Sequence, residues 1–279
     1  MTTSNSPDWN SFSRANASQK WRRQSAAMGS GMTEAIVAAA KLAPGMRVLD
    51  IACGTGEPSI TIARLLQGTG EVVGVDLSGG PLAVASERAK QHGLSNVRFQ
   101  EADVHHLPFP DNSFDRITSR LGVMFFADLP RALREMHRVL KPGGRVALLA
   151  WGKFDQPYFA TTIGTVLKIL PDLKLSPAGK SMNSFGTADV LGKQLREAGF
   201  VLVEENLTDV PWTWPGTAEE VWEYFQDVAV PFQPTLHAIP DQRKGEIDKA
   251  VLDAMKKYQV GDEVRFTAHV NITTATKTV

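Results

Sequence analysis

The apolar positions of this chain change period along its length. Largely apolar runs at residues 47–52, 71–76 (Val72, Val73, Val75), 97–100, 114–119 and 145–151 predict strands, the last without interruption. Between them, residues 58–67, 81–91 and 130–140 space their apolar side chains as one helix face does. Leu82, Ala85 and Ala89 mark that face in the second, and Leu133, Met136 and Leu140 in the third. Thr33 is placed to cap a helix through Leu42 that Pro44-Gly45 ends, and Pro142-Gly143-Gly144 stops the helix before the last strand. Strands alternating with short helices predict a parallel sheet with right-handed crossovers. Strands without polar alternation predict that both faces are covered. The expected class is α/β, doubly wound.

After Trp151 the rhythm breaks. Residues 159–170 predict a helix, 187–198 a helix closed by Gly199, and 200–207 a strand. Residues 217–229 predict a helix with Val221, Trp222, Phe225 and Val228 on one face, followed by a helix over 245–258 and a closing strand over 264–274. The first 30 residues are polar, with Trp9, Phe12 and Trp21 as isolated apolar anchors, and read as a loose arm. The expected organisation is an arm or lid over 1–32 and one domain over 33–279, with cap insertions at about 153–186 and 211–260.

Composition narrows the function more than the fold. Of 279 residues, 43 % are hydrophobic and 22 % charged, enough for a core of normal size. Lys+Arg and Asp+Glu number 30 each, so no net field draws the chain to nucleic acid or an anionic membrane. Lys20, Arg22 and Arg23 read as a solvated helix face. No run approaches the length of a membrane span, and the polar start lacks the apolar core of a signal peptide. One cysteine, Cys53, excludes an internal disulfide and a multi-cysteine metal site. A cytoplasmic protein is expected, with its oligomeric state left open.

The chemistry concentrates at Asp50, Ala52, Cys53, Gly54, Thr55 and Gly56, between the first strand and the first helix, where α/β sheets bind nucleotides. Glycines there let the backbone approach a ligand closely. Asp76, ending the next strand, is placed to accept from both ribose hydroxyls. Nicotinamide dinucleotide sites share that spacing. They want Gly or Ala three residues after the second glycine, however, where this chain has Ser59, and Asp50 would set a negative charge beside a pyrophosphate. A nucleoside carrying a positive amine and no phosphate fits better. Cys53 reads as a small residue that fits the turn.

Together with Gly74-Val75-Asp76-Leu77-Ser78, Ala102-Asp103-Val104, Leu107-Pro108-Phe109-Pro110-Asp111-x-Ser113-Phe114-Asp115 and Arg138-Val139-Leu140-Lys141-Pro142-Gly143-Gly144, the Asp50-x-Ala52-x-Gly54-x-Gly56 loop resembles class I S-adenosylmethionine-dependent methyltransferases. The likeness runs over residues 46–151 and is nearest to the ubiquinone/menaquinone-biosynthesis C-methyltransferases. It implies a mostly parallel, seven-stranded Rossmann-like sheet with a helical cap and an antiparallel last strand. It also implies S-adenosyl-L-methionine as cofactor. Asp50 would lie near the methionine amino group, and Ala52 to Gly56 around methionine and ribose. Asp76 would hold the ribose and Leu77 pack on adenine, with Asp103 and the Val104 N–H on the ring edge. Arg120 would stand at the methionine end. Ala52 stands where the family often has Gly, and Arg120 where the quinone enzymes tend to carry a small hydroxyl residue.

The resemblance further implies methyl transfer, expected on carbon or oxygen, and the aromatic residues concentrated between Tyr158 and Phe232 point to a small, largely apolar acceptor. Such a displacement asks for orientation and exclusion of water, and for a base only when the acceptor keeps its proton. Of His105, His106, His237 and His269, His106 is best placed as a base, in the loop beside Asp103. The adjacent His105-His106 pair lacks ligand spacing, so no metal is expected. Ser119-Arg120-Leu121-Gly122 stands where amine-methylating enzymes carry Asn/Asp-Pro-Pro-Tyr/Phe. Aromatic residues cluster between Tyr158 and Phe232, either lining an acceptor pocket or forming the cap's own core; their shared helix face assigns Trp222 and Phe225 to core. Two competing readings are an S-adenosylmethionine-binding protein that does not methylate (a partner subunit or a cyclase) and an NAD-dependent oxidoreductase.

Overall fold

A computed structural model describes residues 20–279; Trp9, Phe12 and most of the expected arm lie outside the described residues. Two helices lead in, α1 (Arg22–Met28) and α2 (Ser30–Ala40). Thr33, expected as a cap, sits inside α2. Its Oγ1 donates to the Gly29 carbonyl (3.2 Å), so the hydroxyl bonds back to the preceding turn instead of starting a helix.

The alternating region follows as β1 (Arg47–Ile51), α3 (Ser59–Leu65), β2 (Glu71–Asp76), α4 (Gly79–Gln91), β3 (Val97–Glu101), β4 (Phe114–Arg120), α5 (Leu129–Val139) and β5 (Leu140–Trp151). Its strands are apolar on both sides because both sides are covered. Val48 and Val72 pack with Ile62, Ala63 and Leu66 of α3 and its end, while Leu49, Ile51, Val73 and Val75 join the larger core. Local chemistry sets α5: Asp128 accepts from the Arg131 N–H (3.0 Å), Pro130 occupies the first turn, and Ala132, Leu133, Met136 and Val139 are buried at helical spacing.

The remaining elements are α6 (Pro157–Thr161), α7 (Ile163–Ile169), α8 (Pro177–Ser181), α9 (Val190–Glu197), β6 (Val201–Pro215), α10 (Ala218–Val228), α11 (Gln233–His237), α12 (Asp241–Met255), β7 (Gln259–Val260) and β8 (Glu263–Thr276). Among the described residues eight strands form one sheet, ordered β3-β2-β1-β4-β5-β8-β6 with β7 attached to β8. β1 to β5 are parallel, and β8 runs antiparallel to β5 and β6. The seven expected strands are all present; the eighth, β7, is a two-residue pairing too short to register in the apolar pattern. No described helix is long and apolar enough to cross a membrane.

Three elements differ from expectation. The helix expected over 159–170 breaks at Thr162, because Thr161 and Thr162 donate to the carbonyls of Pro157 (2.8 Å) and Tyr158 (2.6 Å). β5 begins at Leu140, which pairs with Phe114, so Pro142-Gly143-Gly144 is an irregularity within the strand and not a stop before it. The strand expected to end at 207 runs on to Pro215, with Val210, Trp212 and Trp214 buried on alternate positions. Pro211 and Pro215 are tolerated because β6 is an edge strand.

Candidate active site

The parallel strands bring their carboxyl ends to one edge of the sheet, beside a cavity of about 860 Å³. β1 ends at Ile51, and Ala52 turns with φ 57°, a left-handed conformation that costs a non-glycine residue about 1 kcal/mol or more. Gly54 (φ 53°) follows, with open space where a side chain would stand, so a ligand has free access to its backbone. Gly56 serves another purpose. A Cβ there would meet Ile60 Cδ1 at 2.8 Å and Ala85 Cβ at 3.1 Å, so its bareness lets α3 and α4 close together behind the loop. Ala52, Cys53, Gly54 and Thr55 line the cavity, and Gly56 does not. Burial, with Asp50 and Asp76 nearby, pushes the Cys53 thiol well up, in keeping with a residue that fills a turn.

Asp76 ties this loop to the next strand: Oδ2 accepts from the Gly54 N–H (2.9 Å) and Oδ1 from the Ser78 N–H (3.0 Å), with lone pairs left on both oxygens. Leu77 beside it is 53 % exposed, an apolar side chain open in the cavity wall. Asp103 and Val104 also line the wall. Asp103 Oδ1 accepts from the His105 N–H (2.9 Å) and from His105 Nδ1 (2.6 Å), and His105 Nε2 accepts from the Asp128 N–H (3.1 Å). That arrangement puts the imidazole proton on Nδ1 and occupies both ring nitrogens. Burial alone would raise the Asp103 carboxyl; the His105 backbone and ring outweigh it and hold the carboxyl below the usual range.

His106, the histidine singled out as a base, lies outside this cavity. Its side chain is 66 % exposed and contacts Arg131, while His105 takes the place in the wall. The two sit on a 3-10 turn (Val104–His106), where one residue's step rotates the side chain by about a third of a turn. Asp50 is likewise absent from the wall. It lies fully buried behind the loop, Oδ2 accepting from Ser59 Oγ (2.5 Å) and Ser59 N–H (3.1 Å), Oδ1 from Thr118 Oγ1 (2.8 Å). Burial pushes its pKa up to about 6, against those bonds and the charge of Arg120. Asp50 therefore joins the loop to α3 and β4 from behind the cavity wall.

Arg120, the last residue of β4, does line the cavity. Its side chain is half-buried, Nη1 donates to the Gly29 carbonyl (3.2 Å), and Nε has no partner among the described residues. Burial lowers its pKa despite the neighbouring Glu57 and Asp50. Glu57 and Arg88 were not anticipated from the sequence. They form a largely buried pair (2.9 Å) in the same wall, with Arg88 Nη1 also donating to the Thr55 carbonyl (2.6 Å). The signal was available, since Arg88 is a charge on the buried face of α4 beside Ala85 and Ala89.

Beyond Arg120 the wall is aromatic. Trp151 of β5 packs against Trp212 of β6 (4.8 Å between centroids), and Tyr158 of α6 against the same Trp212 (4.1 Å). Tyr224 and Phe225 enter from α10, and Trp21 closes the side next to α1, its Nε1 donating to Asp227 Oδ2 (2.7 Å). The two readings of the aromatic cluster thus divide by residue. Trp222 is core, donating to Asp248 (2.8 Å), and so is Phe225, which is fully buried and also backs the cavity wall.

The sequence profile of the ubiE/COQ5 methyltransferase family matches residues 30–209. The chain belongs to this family. It is 37 % identical over 173 residues to a demethylmenaquinone methyltransferase of Geobacillus kaustophilus, covering 57 % of this chain and 73 % of that protein. The YcgJ protein from Bacillus subtilis shares the fold with a TM-score of 0.56 at 23 % identity, over 88 % of this chain and 98 % of that one. So does the phosphoethanolamine N-methyltransferase 2 of Haemonchus contortus solved with S-adenosyl-L-methionine (0.56, 18 %, 98 % and 61 %). As a member of the ubiE/COQ5 family the chain is an S-adenosylmethionine-dependent methyltransferase. Neither a binding protein without activity nor an NAD-dependent oxidoreductase is favoured. The residues present suit the cofactor: a bare glycine backbone, an acid at the second strand end and an open apolar side chain at Leu77 adjoin one another.

Proposed function

We propose that the methyl acceptor is a small, largely apolar molecule bearing a ring, methylated on carbon or oxygen in the aromatic chamber. The observation that carries this reading is that the chamber and the glycine loop are parts of one cavity. In it, Asp76 holds the ribose hydroxyls, Leu77 packs on adenine, and Asp103, through Oδ2, takes the adenine edge with the Val104 N–H. The backbone from Ala52 to Thr55 faces ribose and methionine, with Cys53 filling the turn. Gly56 and Asp50 shape the loop from behind, and Arg120 stands where the methionine end meets the chamber. The cofactor supplies a methyl group on a positively charged sulfur. The chain's task is to hold the acceptor in line at about 3–3.5 Å and to exclude water. The demethylmenaquinone in the Geobacillus enzyme's name is a molecule of the kind the chamber suits.

Incubation with S-adenosylmethionine and demethylmenaquinol, alongside a panel of smaller aromatic phenols, is expected to release S-adenosylhomocysteine, read by mass spectrometry. NAD is expected to give no heat of binding. Tight S-adenosylhomocysteine binding without turnover of any apolar ring acceptor would defeat the acceptor assignment.

A further inference from the structure

We infer that His105 is a positioning residue for the cofactor: its ring fixes the Asp103 carboxylate with one oxygen toward the purine amine, and so makes the site select a 6-amino purine over a 6-oxo one. The inference rests on the reading above that adenine lies at Asp103 and Val104.

Asp103 stands two residues past the end of β3, its side chain 42 % exposed in the cavity wall, so packing does not hold it. Its bonds do. Oδ1 takes both donors of His105, the backbone N–H (2.9 Å) and Nδ1 (2.6 Å). Any residue at position 105 could supply the first; only the second belongs to the imidazole. Two bonds from one neighbour restrict the carboxylate about both of its side-chain torsions and leave Oδ2 as the oxygen on offer. Among the described residues Oδ2 accepts no hydrogen bond, and His106 Nδ1 stands off from it at 4.0 Å.

The imidazole is itself held from behind. Its Nε2 accepts from the Asp128 N–H (3.1 Å) at the head of α5, and a backbone N–H can only donate. Nε2 is therefore bare, and the ring proton lies on Nδ1, where it meets Asp103. Arg131 secures both neighbours of this bond: its Nε donates to the His105 carbonyl (3.0 Å) and its N–H to the Asp128 carboxylate (3.0 Å). The His105 side chain is only 14 % exposed. Support thus runs from α5 through one imidazole to one carboxylate oxygen. Neither ring nitrogen is left to meet a ligand or move a proton, so His105 orients and does not react.

The purine edge turns that support into selectivity. Adenine offers a donor at its 6-amine and an acceptor at N1, which match an ionised carboxylate and the Val104 N–H. Hypoxanthine reverses both. A carboxylate pinned through Oδ1 keeps Oδ2 in place to attract the amine and repel a 6-oxo group. One free to turn would swing toward water and lose part of both effects, because holding it would then cost binding energy.

The test measures calorimetric binding of S-adenosylhomocysteine and S-inosylhomocysteine to the full-length protein, with thermal unfolding of each variant as a control. The unsubstituted protein should prefer the adenosyl ligand by at least about thirtyfold. His105→Leu should shrink that preference by at least about fivefold, chiefly through weaker S-adenosylhomocysteine binding. Two further variants separate the ring's contacts. In His105→Asn the amide can stand in for Nδ1, and the preference should be retained; in His105→Gln it can stand in for Nε2 alone, and the preference should shrink as in His105→Leu. A full preference in His105→Leu overturns the positioning role, and so does its loss in His105→Asn or its retention in His105→Gln. Equal affinity of the unsubstituted protein for the two ligands is a separate failure, which overturns the inference together with the placing of adenine at Asp103.

Discussion

Above pH 6 the Asp50 carboxylate is ionised in full burial, with Ser59 and Thr118 as its partners. A raised pKa means that the folded state holds the proton more tightly than the unfolded chain. The associated stability is complete below about pH 3.8 and is lost as pH rises through about 6. The rise from 3.8 to about 6 corresponds to roughly 3 kcal/mol. The stability difference between the unsubstituted protein and Asp50→Asn should therefore fall by about 2–3 kcal/mol between pH 4 and pH 7 in denaturant titrations. A constant difference would show that the carboxyl titrates normally. Asp76 belongs to the ligand side of the same loop. Asp76→Ala should weaken S-adenosylhomocysteine binding by about 1–3 kcal/mol, about five- to 150-fold in calorimetry, with the fold retained. Asp103→Ala should weaken S-adenosylmethionine and S-adenosylhomocysteine alike, and a loss confined to the sulfonium form would place Asp103 at the wrong end of the ligand. That Asp76, Asp103 and Ala52 to Thr55 stand at the cavity was legible in the sequence because strand ends fix their place. That Asp50 and His106 face away from it was not, because one residue's rotation, in a strand or a 3-10 turn, decides which side chain meets the cavity.

Elements whose ends are set by local chemistry are legible almost to the residue. α10 is the clearest: Thr217 Oγ1 accepts from the Glu220 N–H (3.3 Å) and Glu220 Oε2 from the Thr217 N–H (3.2 Å), closing a reciprocal cap. Thr217→Ala should cost about 1 kcal/mol in denaturant titrations. Because α10 carries Tyr224 and Phe225, the same substitution should lower affinity for an apolar acceptor more than for S-adenosylhomocysteine. Elements that depart from expectation depend on distant partners. β6 continues past residue 207 because β8 pairs with it as far as Pro215, a fact held 48 residues later at Glu263. The alternation of Val210, Trp212 and Trp214 was the local sign, masked by the prolines between and after them.

At the scale of the whole molecule, the first described residues close the chamber from outside. Trp21 packs tilted against Trp214 (5.4 Å) and edge-on against Tyr224 (6.2 Å) and is pinned by Asp227. The exposed contacts of Lys20 with Glu223 and Asp227 add little. Trp21→Ala should free α1 locally, since terminal elements open without unfolding the rest. In hydrogen exchange, amides over residues 22–28 should lose protection while those of β1 to β5 keep it; uniform loss would mean that Trp21 supports the sheet itself. The cavity shared by glycine loop and aromatic chamber has a consequence for how this chain can diverge. Its cofactor floor comes from one continuous stretch of β-strand ends, and its acceptor walls come from segments before and after that stretch. Drift in Tyr158, Trp212 or Phe225 can retune what is methylated while the donor end stays as inherited. Relatives that keep the same glycine loop are therefore free to serve unrelated acceptors.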